Sequence, residues 1–150
     1  MSDKFHATAG RVKPPLTFFN VLLWVQGVYY FVTGVWPLVS IRTFIAITGE
    51  KTDNWTGADI DHWLVKTAGV LITAISAALL VGAYRRTQSI ELAVLAMGAA
   101  AGLTAIDVFY TWRGVILPVY LLDAALEVPL IVAWLVALYP RSNQARKAQQ

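Results

Sequence analysis

The sequence predicts an all-α fold, a bundle of four transmembrane helices with both termini in the cytoplasm. Three observations lead there. Apolar residues make up 57% of the chain and charged residues only 14%, against about half and a quarter in a soluble domain. The apolar residues fall into four runs, each near the roughly twenty residues that cross about 30 Å of hydrocarbon. Lysine and arginine are shared unequally between the two ends of those runs.

The first span is expected over about residues 17–39, with Pro37 near its far end and Trp24 and Trp36 near the two interfaces, where indole rings are enriched. It follows Lys4, Arg11, Lys13 and a Pro14–Pro15 pair. It is too long for the apolar core of a cleaved signal and reads as a signal anchor. The second span covers about residues 63–84 and stops at Arg85–Arg86. The third covers about residues 89–110, with Ser89 as its N-cap. The fourth covers about residues 117–139, with Pro118 in its first turn, where proline costs little, and Pro129 placed to kink it.

Between the first two spans lies the one long connection, residues 40–62. Ser40–Thr48 is expected to form a short interfacial helix stopped by Gly49, a candidate lid over the outer face. Trp55 and Trp63 are expected against the headgroups. The polar tail, residues 140–150, is expected to be disordered. The whole chain forms a single integral membrane domain.

Eight of the twelve basic residues fall on the side of the termini and the second connection. The other four, Arg42, Lys51, Lys66 and Arg113, lie on the opposite side beside Glu50, Asp53, Asp59 and Asp61. The positive-inside rule therefore places both termini in the cytoplasm; a bacterial inner membrane is the expected location. Net charge is +3, but the basic residues mark topology and form no nucleic-acid-binding patch. With no cysteine, disulfides, thiolate metal sites and cysteine nucleophiles are excluded. His62 near Asp59 and Asp61 is too sparse for a metal site, and no motif implies a cofactor.

Three carboxylates inside the apolar runs carry the functional signal. Asp107 lies in the third span, and Asp123 and Glu127 in the fourth. A charge in hydrocarbon costs several kcal/mol or more, so a membrane acid marks a functional site by default. At 100° per residue each span carries one polar stripe: Gln26, Tyr30 and Thr33; Lys66, Thr73 and Ser76; Thr104, Asp107 and Thr111; Tyr120, Asp123 and Glu127. Turned inward, the four stripes meet along the bundle axis. From the helical rise, Asp107 lies roughly 6 Å, Asp123 roughly 9 Å and Glu127 roughly 15 Å below the outer boundary. The expectation is an outward-facing acidic cavity with a Glu127–Gln26 floor, in which Asp107 and Asp123 share Lys66 or Arg113 as counter-ion. No cation lies at the depth of Glu127, a setting that suits proton coupling or general acid catalysis.

Gly98 and Gly102 in the third span have the spacing that lets helices approach closely. They face away from Asp107, so a homodimer would form through them. The stretch GVYYFVTGVWPL at residues 27–38, followed by FIAITGEKTDNW, resembles a group of small bacterial four-span proteins. More distantly it is similar to the DoxX-like superfamily, whose first span carries spaced glycines, here Gly27 and Gly34. The resemblance implies a four-span fold and no particular chemistry.

Three functions remain open at this point. The leading one is a cavity that binds a small or lipid-like ligand. There Asp123 and Glu127 would engage a cation, amine or proton, with Asp107, Gln26, Tyr30, Lys66 and Tyr120 completing the site. The others are a membrane enzyme acting on an isoprenoid or lipid by acid catalysis, and an accessory subunit whose acids only hold helices together.

Overall fold

The computed structural model describes residues 17–49 and 58–147, with side chains described for 17–49 and 62–139. The described residues are all-helical, in the order α1 (Phe18–Val39), α2 (Ile41–Thr48), α3 (Ala58–Arg85), α4 (Ile90–Trp112) and α5 (Tyr120–Lys147). All but α2 are long and apolar enough to cross a membrane. The expected headgroup contact of Trp55 lies outside the described residues, whereas Trp63 is described and exposed.

Local signals explain the boundaries. Thr17 caps α1 by accepting from the Asn20 backbone N–H at 3.3 Å, and Ser89 caps α4 by accepting from that of Leu92 at 3.3 Å. Both leave fewer orphaned N–H groups at a helix start. Helix α2 ends at Gly49, whose φ of 83° needs a residue without a Cβ. Helices α3 and α4 each close with a paired backbone motif: Thr87 N–H to Gly82 C=O with Arg86 N–H to Ala83 C=O, and Val115 N–H to Tyr110 C=O with Gly114 N–H to Thr111 C=O. The motif puts its penultimate residue in the left-handed region. Gly114 takes that place at φ 69°, and Arg86 does so at φ 54°.

Two expectations about the last helix change. Leu117, Pro118 and Val119 form a turn before α5, whose first helical residue is Tyr120, so Pro118 precedes the helix. The segment expected as a loose tail continues α5 as far as Lys147. Its polar composition hid a helix that simply runs on past the apolar section.

The helices pair unequally. Helix α1 packs most extensively against α3, and α4 against α5, while the contacts joining these two pairs are fewer. The α1–α3 pair runs antiparallel, with Gly27 against Leu80 and Gly34 against Gly69 and Thr73. At Gly34 an added Cβ would stand 2.9 Å from the Thr73 backbone nitrogen and 3.0 Å from the Gly69 carbonyl oxygen. Such close approach is what small residues permit between membrane helices. Ser76 adds a hydrogen bond to the Gly27 carbonyl at 2.8 Å.

The apolar core occupies the half of the bundle nearer the start of α1. Phe19, Leu22, Leu23, Leu79, Ala93 and Trp134 meet there, with Phe19 edge-on to Trp134 at 4.9 Å. The half containing the end of α1 and the start of α5 is not filled in this way, and the polar residues gather in it.

Candidate functional site

Two neighbouring groups of side chains define the site. The outer group surrounds a cavity of about 360 Å³ between the two helix pairs. Its walls come from the end of α1 (Thr33, Trp36, Pro37), from α3 (Val65, Gly69, Ile72), from α4 (Leu103, Ile106, Asp107) and from the start of α5 (Tyr120, Asp123). Phe44 and Thr48 of α2 also line it, so the short helix forms one wall. Helix α2 is tied down at both ends. The Trp36 indole N–H donates to Thr43 Oγ1 at 3.0 Å, and the Trp36 ring meets Phe44 edge-on at 5.6 Å. At its other end, Gly49 packs against the Leu117 side chain.

One helical spacing places the acids. Tyr120, Asp123 and Glu127 are three and four residues apart and share a face of α5. Tyr120 and Asp123 reach the cavity, while Glu127, one turn on, is fully buried behind it. Asp107 and Asp123 line the same cavity from α4 and α5, and Glu127 stands outside its lining.

Tyrosines from α1 face these acids. The Tyr29 hydroxyl donates a hydrogen bond to Asp123 Oδ1. Tyr30 is buried beside Glu127. Yet neither carboxylate oxygen of Glu127, nor the Tyr30 hydroxyl, has a hydrogen bond of good geometry. Orphaned buried polar atoms are uncommon enough to need a reason, and functional sites are one place they occur.

Gln26 has a different position from the floor expected for it. It is fully buried among the helices and does not line the cavity; its amide donates to the Ala96 carbonyl at 2.9 Å and accepts from the Trp134 indole at 2.7 Å. Tyr30 and Glu127 likewise stand behind the lining. Lys66 is exposed on α3 and is not a lining residue, because Val65, Gly69 and Ile72 hold the inward face there. Arg113 is exposed and lies over the Phe109 ring at 5.8 Å. Neither cation expected as a counter-ion, Lys66 or Arg113, is among the described lining residues.

Gly98 and Gly102 lie on the exposed face of α4, with open space where a Cβ would stand. Two contributors were not legible in the sequence: Tyr29 lies next to Tyr30 and outside the periodic stripe, and Phe44 belongs to a helix outside the bundle. The paired tyrosines were the available signal, since two adjacent phenols facing two acids one turn apart need only a helix crossing alongside. No family model, curated protein or solved structure matches the chain.

Proposed function

We propose that this is a multi-pass protein of a bacterial inner membrane whose outward-facing cavity binds a small or lipid-like ligand. The cavity itself carries the reading: about 360 Å³, walled mainly by apolar side chains and polar at one side through Asp107, Tyr120 and Asp123. Ligand sites are typically cavities of about 300–1,000 Å³ with a few placed polar groups on apolar walls. The excess of lysine and arginine at the termini supports an outward opening.

Binding fits the placement of the acids better than the alternatives do. Acid catalysis by Glu127 needs that carboxyl at the cavity wall, and it stands one turn behind. A purely adhesive role accounts for the Tyr29–Asp123 hydrogen bond between α1 and α5, but not for the cavity that Asp107, Tyr120 and Asp123 line. Native mass spectrometry of protein extracted from its membrane in mild detergent tests the reading. The expected result is a bound small or lipid-like molecule that is lost from a cavity-filling Leu103→Trp variant. Retention of the same molecule by folded Leu103→Trp protein would sink the proposal.

A further inference from the structure

Taking the cavity as a binding site, the reading on which this depends, we infer that it selects an amphiphile whose head donates hydrogen bonds. The head is an alcohol or a primary amine seated against Asp123, with its apolar body along the hydrocarbon walls. The direction of the hydrogen bonds around the cavity leads there. Thr33 and Thr48 each place a hydroxyl in the lining. A backbone carbonyl only accepts, so the Thr33 hydroxyl spends its hydrogen on the Tyr29 carbonyl at 3.0 Å, and that of Thr48 goes to the Phe44 carbonyl at 2.8 Å. What each threonine has left for the cavity is a lone pair. The Trp36 indole N–H, on the same wall, is committed to Thr43 Oγ1 at 3.0 Å. These lining groups all own a hydrogen, and all turn it away from the space they surround.

Asp123 gives this polarity a focus. Tyr29, from α1, donates to Oδ1, and no described residue donates to Oδ2. A carboxylate oxygen accepts about two hydrogen bonds, so acceptor capacity remains after Tyr29 has bound. Asp123 lies in the lining, and a head placed there meets lone pairs. An O–H or N–H group satisfies them. A ketone, ester or ether brings further lone pairs to the same place, and polar atoms buried without a partner are costly. A quaternary ammonium brings charge but no hydrogen to donate, so it lacks the directional bond. Beyond this polar edge the lining is hydrocarbon and aromatic, from Phe44, Val65, Ile72, Leu103 and Ile106, the kind of surface on which an alkyl chain is favourably buried. The Tyr29 hydrogen bond also holds the Asp123 carboxylate in place before a ligand arrives.

The absence of cysteine makes a direct test available. The full chain carrying Val119→Cys, a position on the cavity wall, is placed in phosphatidylcholine nanodiscs. The rate at which a small maleimide labels it is measured with decanol, decylamine, decyl methyl ether or decyltrimethylammonium, at equal mole fraction in the bilayer. Decanol, decylamine or both are expected to slow labelling about tenfold more effectively than the ether and the quaternary ammonium, and the better protector of the two identifies the head. Asp123→Asn keeps an amide oxygen for Tyr29 and turns N–H groups toward the cavity, so the preference for decanol over the ether should vanish or reverse. Equal protection by decyl methyl ether overturns the inference while leaving a ligand cavity in place, as does strongest protection by decyltrimethylammonium. An unchanged preference in Asp123→Asn overturns it as well. If no probe protects, the inference falls, and native mass spectrometry of unmodified protein then shows whether the cavity reading falls with it. Thermal shift of the unmodified chain with the same probes supplies the comparison should Val119→Cys fail to fold.

Discussion

The Trp134 indole N–H donates to Gln26 Oε1 at 2.7 Å, in a place where both side chains are fully buried. Because the Gln26 amide also donates to the Ala96 carbonyl at 2.9 Å, one side chain joins α1, α4 and α5. The two helix pairs have few other contacts between them. This pin sits just below the acid-lined half of the bundle and fixes the distance across it.

Replacing Gln26 by leucine leaves the Trp134 N–H buried without its acceptor. Hydrogen bonds between membrane helices are worth about 0.6–2 kcal/mol each. A loss of about 1–3 kcal/mol is therefore expected for Gln26→Leu, with a smaller loss for Trp134→Phe. Reversible unfolding in mixed micelles measures both. Unchanged stability in Gln26→Leu would show that the helix pairs are joined by other means.

Glu127 is expected to behave in the opposite way. A buried carboxyl without a well-formed hydrogen bond is an unfavourable component of a fold, and an apolar side chain of similar size avoids that cost. Glu127→Met should raise stability by about 1–3 kcal/mol in the same unfolding experiment. A fall of that size would instead mean that the carboxyl binds the helices together, and the accessory-subunit reading would gain.

Tyr29 and Tyr30 separate positioning from packing. Tyr29→Phe removes the hydrogen bond to Asp123 but keeps the ring. It should cost about 1 kcal/mol of stability and weaken retention of the ligand detected by native mass spectrometry. Tyr30→Phe, at a hydroxyl with no well-formed hydrogen bond, should leave stability within about 0.5 kcal/mol. Equal losses from both variants would contradict the assigned geometry.

The glycines give a paired comparison. Gly34→Ala pushes a methyl group against α3 backbone atoms at 2.9 and 3.0 Å, so it should destabilise by about 1–3 kcal/mol. Gly98→Ala meets nothing within 4 Å and should be neutral or stabilising by about 0.5–1 kcal/mol. If a second copy packs on that face, Gly98→Ile should lower the dimer fraction seen by single-molecule photobleaching in nanodiscs. An unchanged fraction would remove Gly98 and Gly102 from consideration as the contact.

Much of this arrangement was legible because membrane helices announce themselves by length and by polar stripes. The four spans, the short helix ended by Gly49, the Ser89 cap and the shared face of Tyr120, Asp123 and Glu127 all follow from spacing. Lys66 shows where spacing misleads: Thr73 and Ser76 of the same stripe do meet α1, but at the level of Lys66 the inward face of α3 is held by Val65, Gly69 and Ile72. Which face turns inward was decided by the glycine contacts of α1 and α3, and these depend on a partner helix. Gln26 was legible as buried and polar, but its engagement by Trp134 was not, because the two are 108 residues apart.

The unequal pairing of the helices has a mechanical consequence. Two tight pairs meeting along a sparsely packed seam form a body that is stiff within each half and compliant between them. The cavity lies on that seam, where the two halves share the least contact. The Gln26–Trp134 hydrogen bond fastens the halves at the end away from the cavity, so the seam is held at one end and left open at the other, like a clasp closed on one side.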